Sequence, residues 1–259
     1  MADVKNDAKD KNPLPDGQWV ALLPGSKKAK LSVGVPFFLE LADQLSHLSP
    51  NCNFLLPVAP TTSLKEFIEF SSDKNPISKQ YKSGIYKIDN YKNNKILITK
   101  GRTRIRLVEG RIAQNSLSQC DLALTTVGAN TAELGALGIP MIVIIPTQHL
   151  NVMQAWDGIL GIIARLPILK CFIGILISIW RLRKKRFMAW PNISSNKMIV
   201  PERIGTIYPI DIAKEAYEWL ISPERLEGQK EDLRSLRGSA GASERMAEEI
   251  IKLIPKEFL

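Results

Sequence analysis

Apolar residues recur along the chain in short continuous runs, separated by stretches with the 3.6-residue period of a helix. Trp19–Leu23 reads as a first strand that stops at Pro24-Gly25-Ser26-Lys27. Val33–Leu48 follows with Val35, Phe38, Leu39, Ala42 and Leu45 at helical spacing. Asn53–Val58 reads as a second strand and Leu64–Phe70 as a helix, whereas Ser71–Asn94 is polar, carries Pro76 and several lysines, and reads as an excursion or loop. Lys95–Thr99 and Arg104–Val108 then predict strands, and Arg111–Gln119 a short helix. The stretch from Cys120 to Pro146 reads as strand, glycine-bearing turn, helix and a second buried strand. Beyond Pro146 the pattern is mostly helical, closed by Pro209–Ile221 and Glu224–Ile254, the latter interrupted around Gly238–Gly241. Strands alternating with helices predict an α/β fold with a right-handed, mainly parallel sheet, helices on both faces and a helical carboxyl-terminal region. The expected division is a linker-like start over 1–17, a sheet domain over 18–222 and carboxyl-terminal helices over 223–259.

The Cys120–Pro146 stretch has the design of a phosphate cradle. Leu122–Leu124 predicts a strand of a parallel sheet, and Thr125–Asn130 a turn in which Gly128 permits close backbone approach. Asn130 or Thr131 is suited to cap the next helix. A helix opening there points unpaired N–H groups and the positive end of its dipole at the carboxyl edge of the strand. Glu133, one turn in, has two readings: a carboxylate that accepts from sugar hydroxyls beside a diphosphate, or a first-turn glutamate favoured by the dipole.

Composition sharpens this only in places. The chain has 259 residues, 45% hydrophobic and 24% charged, which is ordinary for a globular protein. Cys52, Cys120 and Cys171 lie far apart, with no spacing that suggests zinc or a disulfide framework; no metal and no cofactor is expected. The polar start Met1-Ala2-Asp3-Val4-Lys5 contains no secretory apolar region. Much of the formal +9 charge is local: Arg181, Arg183, Lys184, Lys185 and Arg186 follow an apolar run from Ile159 to Trp180 that is broken by Arg165, Pro167 and Lys170. Its unbroken part, Cys171 to Trp180, falls short of the roughly 20 residues of a membrane span. Apolar residues beside a cationic cluster, flanked by Trp180 and Trp190, fit an interfacial helix on an anionic membrane. The alternative is a buried helix pair that ends in a solvated basic turn. No aromatic-and-basic platform accompanies the cations, so nucleic acid is not an expected partner.

Together, Leu22-Leu23-Pro24-Gly25-Ser26-Lys27, the Thr126–Leu134 turn and helix, Gly138-Ile139-Pro140, Trp190-Pro191-Asn192 and Val200-Pro201-Glu202 resemble the carboxyl-terminal half of lipid-A-disaccharide synthases, in order, from about Gln18 to Leu253. The likeness is to a divergent, synthase-like branch with Thr-Val-Gly-Ala-Asn-Thr in place of a Ser-Gly-Thr turn. It implies a Rossmann-like domain forming one half of a B-type glycosyltransferase (GT-B), the half that binds the nucleotide-sugar donor. It implies a UDP-sugar, UDP-2,3-diacylglucosamine, transferred with inversion to a glycolipid acceptor by a protein on the inner face of the bacterial cytoplasmic membrane. By position, the resemblance implies that Gly25, Ser26 and Lys27 lie near the donor phosphates. Thr126, Gly128, Ala129, Asn130 and Thr131 would form the diphosphate site and Glu133 the ribose contact, with Asn192 and Glu202 bordering the cleft. Two positions depart from the family: Lys27 stands where arginine is usual, and Arg203 follows Glu202 where glutamine often does.

Inverting transfer needs two oriented substrates, a base for the acceptor proton and stabilisation of charge on the leaving diphosphate. The helix start and a cation such as Lys27 serve the last need, but no base is evident. Of the two histidines, His47 reads as surface or structural, and His149, after a buried strand, is a candidate donor contact. The family's acceptor half has no counterpart before Gln18, so the chain reads as a truncated or split gene product or an isolated domain, inactive alone. A non-catalytic membrane-peripheral module and part of a UDP-sugar epimerase remain alternatives.

Overall fold

The computed structural model describes residues 14–58, 62–91, 94–109, 112–149, 187–237 and 251. Its elements run β1 (Gln18–Leu23), α1 (Lys28–Leu48), β2 (Cys52–Val58), α2 (Leu64–Phe70), α3 (Pro76–Tyr81), β3 (Ile85–Tyr91), β4 (Asn94–Thr99) and β5 (Arg104–Glu109). There follow α4 (Ile112–Leu117), β6 (Leu122–Thr126), α5 (Ala129–Leu137), β7 (Met141–Pro146) and a 3-10 turn (Thr147–His149). After the segment that is not described come α6 (Trp190–Ser195), β8 (Glu202–Gly205), α7 (Pro209–Leu220) and α8 (Pro223–Ser235).

Among the described residues the strands form one sheet in the order β3-β4-β5-β2-β1-β6-β7-β8. The pairs β5–β2, β2–β1, β1–β6, β6–β7 and β7–β8 are parallel, and β3 and β4 add an antiparallel hairpin at one edge. From β1 the chain steps to β2, passes to the β3–β4 hairpin at the far edge and comes back to β5 beside β2, then crosses to β6 on the other side of β1 and continues through β7 to β8. This reversal puts a crevice at the carboxyl ends of β1 and β6, the place where doubly wound sheets bind ligands.

Period-two alternation along β1 explains why helices cover both faces. Val20 and Leu22 are buried with Val35, Phe38 and Leu45 of α1, Phe67 of α2, and Ile212 and Ala216 of α7. Trp19, Ala21 and Leu23 point the other way, into a cluster with Leu117 of α4, Leu134 of α5 and Leu233 of α8. The mainly parallel sheet with helices on both faces is therefore as the apolar pattern implies, and α8 packs on the same sheet as the preceding helices.

Local departures have physical reasons. Ser71–Asn94 is not a loop: it holds α3 and β3. Asn75 caps α3, its Oδ1 accepting from the Ile77 N–H at 3.1 Å, and Pro76 takes the first helical position, where a missing N–H is harmless. β3 is a half-exposed edge strand whose polar positions, Lys87 and Asp89 among them, protect an edge rather than interrupting it, with Lys87 paired to Asp89 at 2.7 Å. α1 starts at Lys28 rather than Val33 and continues through Pro36. Proline at that position leaves the Ser32 carbonyl without its usual donor four residues on, a loss worth about 1–3 kcal/mol if the carbonyl went unpaired. The Asn75 Nδ2 donates to Ser32 O at 2.7 Å, so the excursion repairs the helix it packs on. β8 lies within the stretch expected to be helical; it is a four-residue, partly exposed edge strand and carries little apolar signal.

Candidate functional site

Two loops build the crevice. After β1 the chain passes Gly25, whose φ of +111° is a conformation other residues adopt only with strain, and a Cβ there would lie 3.4 Å from Thr126 Oγ1. After β6 it passes Gly128, with φ +151°. Each loop opens directly into a helix without a side-chain cap: before α1 the Lys27 side chain makes no capping hydrogen bond, and before α5 Gly128 has no side chain to make one. By contrast α2 has a full capping box, Ser63 with Glu66. The Ala129 and Asn130 N–H groups of α5 have no intrahelical acceptor by position, and together with the helix dipole they favour an anion. The cap is thus Gly128 rather than Asn130 or Thr131.

Thr131 faces inward instead. It is buried, its Oγ1 donates to Gly128 O at 2.9 Å, and it accepts from the Trp190 N–H at 3.1 Å, which fixes the turn and ties α6 to α5. Thr126, at the end of β6, is 3% exposed, and its hydroxyl has no hydrogen-bond partner. Glu133 lies beyond the first turn of α5, which contains no acid, so the reading as a first-turn dipole residue does not apply. Its carboxylate is half-buried and accepts from Gln114 Nε2 of α4 at 3.0 Å.

Ser26 and Lys27 are exposed at the mouth of the crevice. Lys28 turns away to Glu66 at 2.6 Å, and with the Ser63 N–H and hydroxyl it holds that carboxyl at about 2, well below the usual range. Lys30 goes unnoticed in sequence. It follows Lys27 by three residues, and one helical turn carries it over the β6 turn, where its Nζ donates to Val127 O at 2.8 Å. A Cβ on Gly128 would sit 3.6 Å from that ammonium. Burial, and secondarily Lys27, lower the Lys30 pKa below its ordinary value.

Asn192 and Glu202 meet each other rather than the crevice. Asn192 is fully buried; its Nδ2 donates to Val200 O and to Glu202 Oε1, both at 2.8 Å, and its Oδ1 accepts from the Ile199 and Val200 N–H groups at 2.7 and 2.8 Å. The Glu202 carboxylate accepts from the Met188 N–H at 3.0 Å and from the Ala189 N–H at 2.9 Å, at the start of α6. This closed set pins α6 to β8. Arg203, at the position where the family pattern breaks, makes a two-pronged bond to Glu215 of α7 at 2.7 and 2.6 Å.

His149 is buried after β7, its Nε2 2.7 Å from the Tyr81 hydroxyl of α3, and burial lowers its pKa while raising that of Tyr81. Beside it Gln148 pairs with both sides of one residue, accepting from the Ile207 N–H at 3.2 Å and donating to Ile207 O at 2.5 Å. His47 is exposed in the last turn of α1. Cys52 and Cys120 are buried thiols, the first pushed up to about 12 by burial and the second raised likewise, so neither is a nucleophile. No group of side chains among the described residues suits a metal ion, and none of the described helices is long and apolar enough to cross a membrane. Trp180, Arg181, Arg183, Lys184, Lys185 and Arg186 lie outside the described residues.

No family model matches the sequence. Curated relatives do, across nearly its whole length. The lipid-A-disaccharide synthase of Syntrophus aciditrophicus is 29% identical over 245 residues, covering 93% of this chain and 51% of that protein. The synthases of an Anaeromyxobacter species and of Nitrosococcus oceani are 26% and 25% identical, over 90% and 95% of this chain and 48% and 51% of theirs. Among solved structures, the glycotransferase of kitacinnamycin aligns over 98% of this chain and 48% of its own, with 15% identity and a TM-score of 0.42. The chain is similar in sequence to lipid-A-disaccharide synthases and spans about half the length of the curated relatives it matches.

Proposed function

We propose that the chain is the donor-binding half of a glycosyltransferase and that the crevice between β1 and β6 holds the diphosphate of a UDP-sugar. One observation carries this reading. Two helix starts without side-chain caps converge at the switch point of the sheet, each behind a glycine that keeps the backbone bare, with the partnerless Thr126 hydroxyl between them. The diphosphate takes the Ala129 and Asn130 N–H groups, and Ser26 and Lys27 approach it from the mouth. Glu133 takes the ribose hydroxyls. His149, at the end of β7, borders the nucleoside side. Asn192 and Glu202 act by holding α6 against the start of α5. Similarity to the synthases supports UDP-2,3-diacylglucosamine as donor and a glycolipid as acceptor.

Calorimetric titration across uridine- and guanosine-diphosphate sugars tests the reading. Saturable binding of UDP and UDP-sugars is expected, with uridine alone far weaker because most of the site is built for the diphosphate. No heat with UDP up to millimolar concentration would remove the donor assignment.

Peripheral attachment to an anionic membrane through residues 159–186 belongs to the same proposal, since it places the enzyme where an amphipathic acceptor is concentrated. At about 1 kcal/mol per surface cation, the five basic residues supply several, and the apolar residues beside them resist release by salt. Cosedimentation with anionic vesicles, much less with neutral ones, partial release at high salt and loss on replacing the five cations by glutamine are expected. Equal sedimentation with both vesicle types, or with neither, counts against it.

A further inference from the structure

Resting on the donor-site reading above, we infer that Lys30 is the residue that neutralises the donor diphosphate, its ammonium moving from the Val127 carbonyl onto a phosphate oxygen when the nucleotide binds. The sequence points to Lys27, which is exposed at the cap of α1. The geometry points one turn further. The Lys30 ammonium lies against the β6–α5 turn, 2.8 Å from Val127 O and 3.6 Å from where a Cβ on Gly128 would be, so it stands at the very start of α5. A second, independent feature opens on the same place. The Thr126 hydroxyl is 3% exposed, without a partner, and 3.4 Å from the Cβ position of Gly25, across the same gap.

A half-buried ammonium is costly unless it is paired with opposite charge. Among the described residues Lys30 has a neutral carbonyl as its hydrogen-bond partner and forms no ion pair with a carboxylate. The charged groups nearest to it on the elements that meet here are Lys27 at the cap of α1, Lys28 bound to Glu66 of α2, and Glu133 of α5, which accepts from Gln114; Glu40 and Asp43 lie further along α1, where they accept from Gln44 and Thr99. Its surroundings are therefore those of a cation kept ready for an anion: donors from α5, an unused hydroxyl and a neighbouring lysine, all favouring negative charge. The lowered pKa of the unliganded protein agrees with this, and a bound diphosphate would raise it again.

Two variants separate charge from architecture. Lys30→Gln keeps an N–H donor for Val127 O and removes the charge; Lys30→Arg keeps the charge at every accessible pH. UDP and uridine are titrated into the full chain and both variants by calorimetry from pH 7 to 10, with thermal melts to confirm folding. Lys30→Gln is expected to weaken UDP binding roughly tenfold to a hundredfold at pH 7 while leaving uridine affinity unchanged. Wild-type affinity for UDP should fall as pH rises through the lowered lysine pKa, and Lys30→Arg should lack that component; ionisation of the uracil ring affects both proteins alike and cancels in the comparison. Wild-type affinity for UDP in Lys30→Gln, or superimposable pH profiles for wild type and Lys30→Arg, overturns the role of Lys30 while leaving the donor site standing. Failure of the wild type to bind UDP at any pH overturns the donor reading and this assignment with it.

Discussion

Asn192→Ala is expected to destabilise the fold by about 3–5 kcal/mol, read as a lowered urea midpoint and melting temperature. The amide makes four hydrogen bonds in a site with no exposure. Alanine strands the Val200 N–H and carbonyl, takes one of two acceptors from the Ile199 N–H, which also donates to Lys197 O at 3.1 Å, and removes one contact of the Glu202 carboxylate. Each buried orphan costs about 1–3 kcal/mol, and entry of water into the vacated space recovers part of the sum. Asn192→Asp should be at least as damaging despite its nearly equal volume, because an oxygen would then face both the Val200 carbonyl and the Glu202 carboxylate. A residue whose role was to touch the donor would behave differently, losing affinity while the melting temperature stayed put. Stability within about 0.5 kcal/mol of wild type would show that the network is not what holds α6 to β8.

Glu133→Ala is expected to weaken UDP binding by about 1.5–3 kcal/mol, roughly 10- to 150-fold, with little change in stability. Its position beyond the first turn of α5 removes helix-dipole stabilisation as the reason for an acid there. Its hydrogen-bond partner, Gln114, is exposed, and an exposed pair contributes little to stability. Glu133→Asp should fall between, since the shorter side chain carries the same charge without the reach. Gln114→Ala serves as the control: it frees the carboxylate without removing it, so affinity should hold. Unchanged affinity in Glu133→Ala, with folding intact, would leave Glu133 as a tether for α4.

The parts of this protein written in the sequence are those whose cause is local. β1, β2, β6 and β7 are nearly continuous apolar runs because strands buried on both faces admit little else, and the helix after Thr126 is announced by a glycine turn and the apolar period beyond it. Edge strands escape the same reading. β3 and β8 bury at most one side, so their polar residues resemble a loop or the end of a helix, and pairing to a neighbour is what makes them strands. Candidate polar residues could likewise be named but not assigned. Asn192 and Glu202 carry the motif, yet whether they face a ligand or each other depends on how α6 folds back over β8. Lys30 and Val127 are 97 residues apart in sequence and 2.8 Å apart in space, brought together because β1 and β6 are neighbours at the reversal of strand order. Period and turn chemistry act over a few residues and are legible along the chain. The partner of a buried polar group is set by which strands lie side by side, and that is decided only when both faces of the sheet close over their separate cores.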